Sequence, residues 1–270
     1  MPKFLLKSCQ NPDSDKVAEV RASLGASWEG VYASAEGIST LARAVRDARG
    51  QAFCLLPFCH TVEAEAMGAR VNLGDEVSVA RAGEPTCSSL RDVLGLELAL
   101  DRTERLPRML EATSLLARSG EKVMYSVSGP LSILSCLMDL GDVFREWRRE
   151  PDLVREALAH LREQVAPYAL AAARAGAASV ELADPPAAVS IVGPRVAADV
   201  AELFTTPLVR ELAQGMPAGA EVVLCPLAAP ATAAQTTAPA AARVGCGRAA
   251  GRRCRRPQVL LARRYCVSSR

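Results

Sequence analysis

Residues 122–134 read KVMYSVSGPLSIL, an apolar run, then Ser-Gly-Pro, then a second apolar stretch. Lys122 to Val127 has the length and the β-branched and aromatic content of a strand, and Ser128-Gly129-Pro130 ends it. LSILSCLMDL, residues 131–140, follows as a helix. A near-continuous apolar strand is buried on both faces, the habit of parallel sheets covered by helices. The same unit recurs on either side. Upstream, Ala52 to Phe58 is a short apolar run. It follows EGISTLARAVRDAR, residues 36–49, where Ile38, Leu41, Ala42 and Val45 keep helical spacing as far as Gly50. Between the two strands, residues 103–118 place Leu106, Met109, Leu110 and Leu116 on one helical stripe. Downstream, residues 151–175 form a long helical pattern in which Pro167 is expected to introduce a kink or a division. Ser179 to Ala183 is the next strand and ends at Asp184-Pro185. Thr206-Pro207 reads as a helix cap followed by proline at the first helical position. Glu221 to Cys225 is the last clear strand of the body.

Strands alternating with helices give an α/β fold with a parallel sheet, either a (β/α)8 barrel or an open doubly wound sheet. No GxGxxG or GxxxxGK[ST] follows any strand, which removes the commonest nucleotide-binding signatures. In both architectures the functional groups lie at the C-terminal ends of the strands. The residues that matter are therefore those after Phe58, Val127, Ala183 and Leu224.

The first strand runs into CHTVEAEAMGARVNLGDE, residues 59–76. Cys59 and His60 sit at its end, Thr61 is placed to cap the next helix, and Glu63 lies in that helix's first turn. NLGDE reads as a turn, with Asp75 either a turn carboxylate or a substrate contact. Ser128 and Gly129 stand between strand and helix, where backbone N–H groups can hold an anion. Asp184 is an acid at a strand end, held by two prolines; it is either a cap or a group in the mouth of the sheet. Cys225 is either a buried thiol or a metal ligand. His160, on the long helix, is expected to face solvent.

Composition bounds the rest. The chain has 270 residues and is 50% hydrophobic but only 4% aromatic, so aliphatic residues and alanine must fill the core. No run of about 18 apolar residues occurs, so no membrane span and no membrane partner are expected, and the chain is read as cytoplasmic. The nine cysteines are irregularly spaced, which argues against a disulfide framework. The net charge of +2 conceals an asymmetry. Residues 227–270 hold nine arginines and no acid, leaving 23 basic against 30 acidic residues before them. That segment, rich in alanine, arginine, proline and glycine, has no apolar period. It is either a disordered basic extension or an out-of-frame translation of a GC-rich gene. Within it only Val259 to Val267 has the content of a further strand. Residues 1–226 are read as the folded domain and 227–270 as a tail, and nucleic acid is not expected as a partner despite the tail's charge.

Taken together, LPFCHTVEAEAMGARVNLGD (56–75), VSGPLSIL (127–134), ELADPPAAVSIVGP (181–194) and the strand before Cys225 resemble the uroporphyrinogen-decarboxylase superfamily over roughly residues 50–226. They are most similar to its methylcobamide:coenzyme M methyltransferase branch. The resemblance implies a (β/α)8 barrel, incomplete here at its C-terminus, with a site at the C-terminal face. It implies methyl transfer between a thiol and a cobamide carried by a corrinoid protein or supplied as a small-molecule methyl donor. Asp184 would orient substrate, His60 and Glu63 would line the mouth, and Asp75, Ser128 and Gly129 would contact substrate. That branch holds zinc with a His-x-Cys pair and a later Cys. Cys225 matches the Cys of the pair, Val223 stands at the His position and cannot bind metal, and Cys266 is the candidate for the later Cys. Zinc is accordingly expected to bind weakly or not at all, with little methyl transfer. Two alternatives stay open: a decarboxylase of a tetrapyrrole or related acid, for which the Arg-rich clamp has no match here, and a truncated, inactive chain.

Overall fold

The computed structural model describes residues 14–225 and the backbone of residues 259–261. Three helices lead in: α1 (Ser14–Ser23), α2 (Trp28–Tyr32) and α3 (Ala35–Arg49). Strand β1 (Cys54–Leu56) is followed by α4 (Val62–Ala66), by a hairpin of β2 (Val71–Gly74) and β3 (Val79–Ala82), and by α5 (Leu90–Val93) and α6 (Arg105–Arg118). Next come β4 (Val123–Ser128), α7 (Pro130–Leu137), α8 (Leu140–Arg149) and α9 (Pro151–Arg174). The remainder is β5 (Ser179–Ala183), a 3-10 turn (Pro185–Ala187), α10 (Val189–Val200), a π turn (Ala201–Thr205), α11 (Thr206–Gly215), β6 (Glu221–Leu224) and β7 (Val259–Leu261).

The strands expected from the apolar runs lie side by side in one parallel sheet, in the order β1-β4-β5-β6-β7. β7 falls within the stretch singled out in the tail. Helix α3 packs on β1, α6 on β1 and β4, α9 on β4 and β5, and α11 on β6. One set of alternate strand residues therefore joins the helix-facing core: Cys54, Leu56, Val123, Tyr125, Val127, Val180, Leu182, Val222 and Leu224. Burying a Val or Leu side chain of this kind contributes about 1.5–3 kcal/mol. Tyr125 and Tyr168 bring hydroxyls into this core and satisfy one another at 2.6 Å, with their rings edge to face.

Three details depart from the sequence reading. The first strand is only Cys54–Leu56, because Pro57 has no N–H to continue the ladder. Pro167 does not divide the helical pattern, which runs through it as one helix, α9. Thr206 caps nothing: its φ and ψ, −65° and −46°, are helical, whereas a cap is extended. The chain coils on from α10 through the π turn into α11, and Pro207 falls where the hydrogen-bond register changes.

Candidate functional site: three strand ends tied by two buried carboxylates

The turn between β4 and α7 is the hub of the site. Gly129 precedes the first residue of α7, Pro130, and brings no side chain to cap that helix. Asp184, one residue beyond β5, supplies the cap from the neighbouring strand. Its Oδ1 accepts from Ser132 N and Ser132 Oγ, each at 2.8 Å, and its Oδ2 accepts from Leu131 N at 3.2 Å. Gly129 N donates to Ala183 O at 2.8 Å, so the turn is joined to the end of β5 by backbone as well. A carboxylate at a helix N-terminus is favoured by the exposed N–H groups and the macrodipole. Burial nevertheless pushes the Asp184 carboxyl up to about 6, with the Ser132 and Leu131 bonds pulling the other way. The side chain is packed so tightly that a Cβ on Gly129 would lie 2.4 Å from Asp184 Cβ. Glycine is needed here for close approach.

Glu63 grips the same turn from the other side. Its Oε1 accepts from Ser128 N at 2.7 Å and its Oε2 from Ser128 Oγ at 2.8 Å. Burial raises its pKa and the two Ser128 bonds lower it. Three segments on adjacent strands, after β1, after β4 and after β5, are thus fixed as one surface by two carboxylates. Each carboxylate has both oxygens engaged.

Thr61 was expected to cap α4, but its hydroxyl makes no capping bond. Arg105 takes it instead. Arg105 is buried at the start of α6 and donates from Nη2 to Thr61 Oγ1 at 2.8 Å, from Nε to Glu65 Oε2 at 2.7 Å, and from Nη1 to Cys59 Sγ at 3.5 Å. Its guanidinium also lies 5.4 Å from the centre of the Tyr32 ring. Burial alone would lower the Arg105 pKa; Cys59, Glu65 and Tyr32 raise it on balance. Sequence reasoning missed this cluster, because Arg105 is one of several polar residues in an ordinary amphipathic helix.

His60 stands beside the clamp, its carbonyl accepting from Cys136 Sγ at 3.7 Å. Its Nδ1 is buried and has no hydrogen-bond partner among the described residues. Burial lowers its pKa to about 4, so the ring is neutral at pH 7. Asp75 is not brought to this surface. It sits at the tip of the β2–β3 hairpin, where its carboxylate accepts from Val77 N, Ser78 N and Ser78 Oγ and pairs with Arg81. These bonds hold it below the usual carboxylate range, at about 2. The turn role is what the geometry supplies. His160 does not face solvent freely; its Nε2 is 2.7 Å from Leu96 O.

Cys225 is buried at the end of β6, its N–H donating to Leu182 O at 3.0 Å. The described donor set does not fit zinc. Val223 offers no ligand beside Cys225, and no group of three or more His, Cys, Asp or Glu within metal-binding reach occurs among the described residues. Nor is any described helix long and apolar enough to cross a membrane.

Comparison with known proteins agrees with this layout. Methylcobamide:CoM methyltransferase MtaA of Methanosarcina barkeri is 27% identical over 182 residues, 66% of this chain and 53% of that protein. The same enzyme from M. barkeri strain Fusaro / DSM 804 is 28% identical over 187 residues, again 66% and 53%. The solved structure of a methyltransferase from Methanosarcina mazei matches with a TM-score of 0.62 and 25% identity, over 77% of this chain and 61% of that one. The chain spans about half the length of the curated relatives it matches. The family model for uroporphyrinogen decarboxylase (URO-D) matches residues 16–231, most of the chain, and the chain therefore belongs to that family.

Proposed function

We propose that this chain carries the C-terminal face of a corrinoid-linked methyltransferase, with residues 1–226 as part of a (β/α)8 barrel that is incomplete at its C-terminus and residues 227–270 as a tail from which β7 joins the sheet. The methyl group passes between a cobamide, delivered by a corrinoid protein or as a small-molecule methyl donor, and a thiol. One observation carries the reading. The strand-end segments around Glu63, Ser128 and Asp184 are locked into a single surface, in a chain similar to methylcobamide:CoM methyltransferases.

The chemistry asks for three things: a bound thiol, a methyl carbon in line with it, and exclusion of competing water. As sulfur attacks the methyl carbon, the carbon–cobalt bond breaks with its electron pair left on cobalt, and the thiol proton departs. Glu63 and Asp184 serve this by position, since their oxygens are occupied by the turn they hold. Ser128 and Gly129 shape the floor beside them. His60 is neutral and can present a nitrogen to the substrate without a competing charge. No step runs through zinc, because Val223 and Cys225 do not form a metal pair. Without a metal to lower the thiol pKa, turnover is slow and depends on the thiolate already present in solution. A cytoplasmic location fits a reaction that needs reduced thiols, and the reading requires neither membrane nor nucleic acid.

The test is anaerobic incubation of the purified chain with methylcobalamin and coenzyme M, following cobalt absorbance and methylated thiol. Demethylation should depend on the thiol, rise toward the thiol's own pKa of about 8.5 to 9, and ignore zinc chelators. Absence of thiol-dependent demethylation above the protein-free rate between about pH 6 and about pH 9.5, with or without zinc, would remove the proposal.

A further inference from the structure

The segment from Cys59 to Glu65 carries five side chains able to hydrogen-bond, and four of them are committed inside the fold. Cys59, Thr61 and Glu65 all bond to Arg105, and Glu63 bonds to Ser128. The His60 ring alone bonds to nothing among the described residues, although its Nδ1 is buried. Its backbone is held all the same, the carbonyl accepting from Cys136 Sγ on α7 at 3.7 Å. One polar ring is thus left unengaged in a segment that is otherwise tied down.

Arg105 accounts for most of that restraint. Cys59 and Thr61 flank His60 in the chain, and their Sγ and Oγ1 meet 3.3 Å apart on the same guanidinium. The charge itself acts on these neighbours and not on the ring, whose pKa is set by burial with no contribution from Arg105. A guanidinium suits the task, because its planar fork sends donors in fixed directions. Nη1, Nη2 and Nε each serve a different acceptor. Arg105 is 4% exposed and is held in turn. Its guanidinium carbon lies 5.4 Å from the centre of the Tyr32 ring, and Tyr32 stacks on Trp28 at 5.6 Å and 18°. A lysine ammonium would keep a charge opposite Glu65, but a point charge on a flexible stem cannot hold three acceptors in this arrangement.

We propose that Arg105 is a positioning residue for the methyl transfer, fixing Cys59 and Thr61 so that the His60 ring stands ready at the end of β1. This rests on the methyltransferase reading, in which His60 meets the substrate.

The chain has two histidines, so labelling the histidine nitrogens gives two sets of ring signals in magnetic resonance, and His60→Gln assigns them. The wild-type His60 ring should titrate at about 4 and be largely neutral from about pH 5 upward. Arg105→Lys keeps a cation beside Glu65 and removes the fork. The His60 midpoint should then rise by at least about one pH unit toward its ordinary 6.5 as the freed ring reaches water, with the His160 signals unmoved. Thr61→Val removes one of the three bonds and keeps the Arg105–Glu65 pair. It should move the midpoint the same way by less, and it serves as the test should Arg105→Lys not fold. With methylcobalamin and coenzyme M, Arg105→Lys should lower kcat/KM about tenfold. Added to His60→Gln it should cost less than about a further twofold, because both act through one ring. His60 signals unmoved in both variants, or His60 and His160 signals that shift together, would overturn the proposal. So would activity losses from Arg105→Lys and His60→Gln that simply multiply. A wild type without thiol-dependent demethylation would remove the methyltransferase reading and with it the role in transfer; the ring signals, which need no activity, would still show whether Arg105 places His60.

Discussion

Gly129→Ala is the sharpest probe of the clamp. Gly129 has φ −80° and ψ 176°, an extended conformation open to any residue, so the substitution carries no backbone strain. The whole penalty is collision. The new methyl would lie 2.4 Å from Asp184 Cβ, 2.6 Å from Cγ and 2.8 Å from Oδ2. Asp184 must shift, and its bonds to Leu131 N, Ser132 N and Ser132 Oγ shift with it. Overpacking of this kind costs about 1–3 kcal/mol. Weakening one hydrogen bond to a charged group adds about 1.5 kcal/mol. Together the destabilisation is about 2.5–4.5 kcal/mol. Urea unfolding followed by the fluorescence of buried Trp28 and Trp147 measures it. The control is Asp184→Gly, which removes the Cβ that is struck. In that background Gly129→Ala should be neutral, or stabilising by about 0.4–1 kcal/mol through the unfolded chain. Equal costs in both backgrounds, or a cost below about 0.5 kcal/mol in the wild type, would refute the steric account.

Other consequences can be measured with the same protein. The Asp184 carboxyl sits at about 6 in the folded chain against an ordinary 3.8, so the folded state holds its proton more tightly than the unfolded state. The stability this contributes is fully present below about pH 4 and is lost as pH rises through about 6, a difference of ~3 kcal/mol. Comparing the pH dependence of unfolding in wild type and Asp184→Asn should show that slope disappear. Arg105→Met should destabilise by about 3–5 kcal/mol by leaving Glu65 without its partner, and adding Glu65→Gln should recover part of the loss; purely additive effects would show that the two do not act as a pair. Metal analysis of purified chain should find well below one zinc per molecule, and stoichiometric zinc lost on Cys225→Ala would restore a metal site.

The parallel sheet was legible in the sequence because buried strands between helices declare themselves locally. Ala52 to Phe58, Lys122 to Val127, Ser179 to Ala183 and Glu221 to Cys225 each read as a short apolar run. Their order in the sheet follows from helical crossovers that pack consecutive units side by side. The same logic placed His60, Glu63, Ser128 and Asp184 at strand ends. It could not say what their side chains do there. Asp184 reads locally as a cap for its own segment, yet it caps α7, a helix that begins more than 50 residues earlier in the chain. Glu63 reads as an acid in a helix's first turn, yet both its oxygens go to Ser128. These partners are chosen by the adjacency of β1, β4 and β5, and no local pattern encodes that adjacency. Asp75 shows the converse: its turn chemistry was readable from NLGDE, and tertiary structure left it at the hairpin tip. Arg105 gave no signal at all, because a charged residue within an amphipathic helix is ordinary until the fold fixes which face it occupies. The sequence by itself determined periodicity, and with it the elements and their parallel order. Only the tertiary structure decided which polar groups meet in the low-dielectric interior, where hydrogen bonding and desolvation set their function.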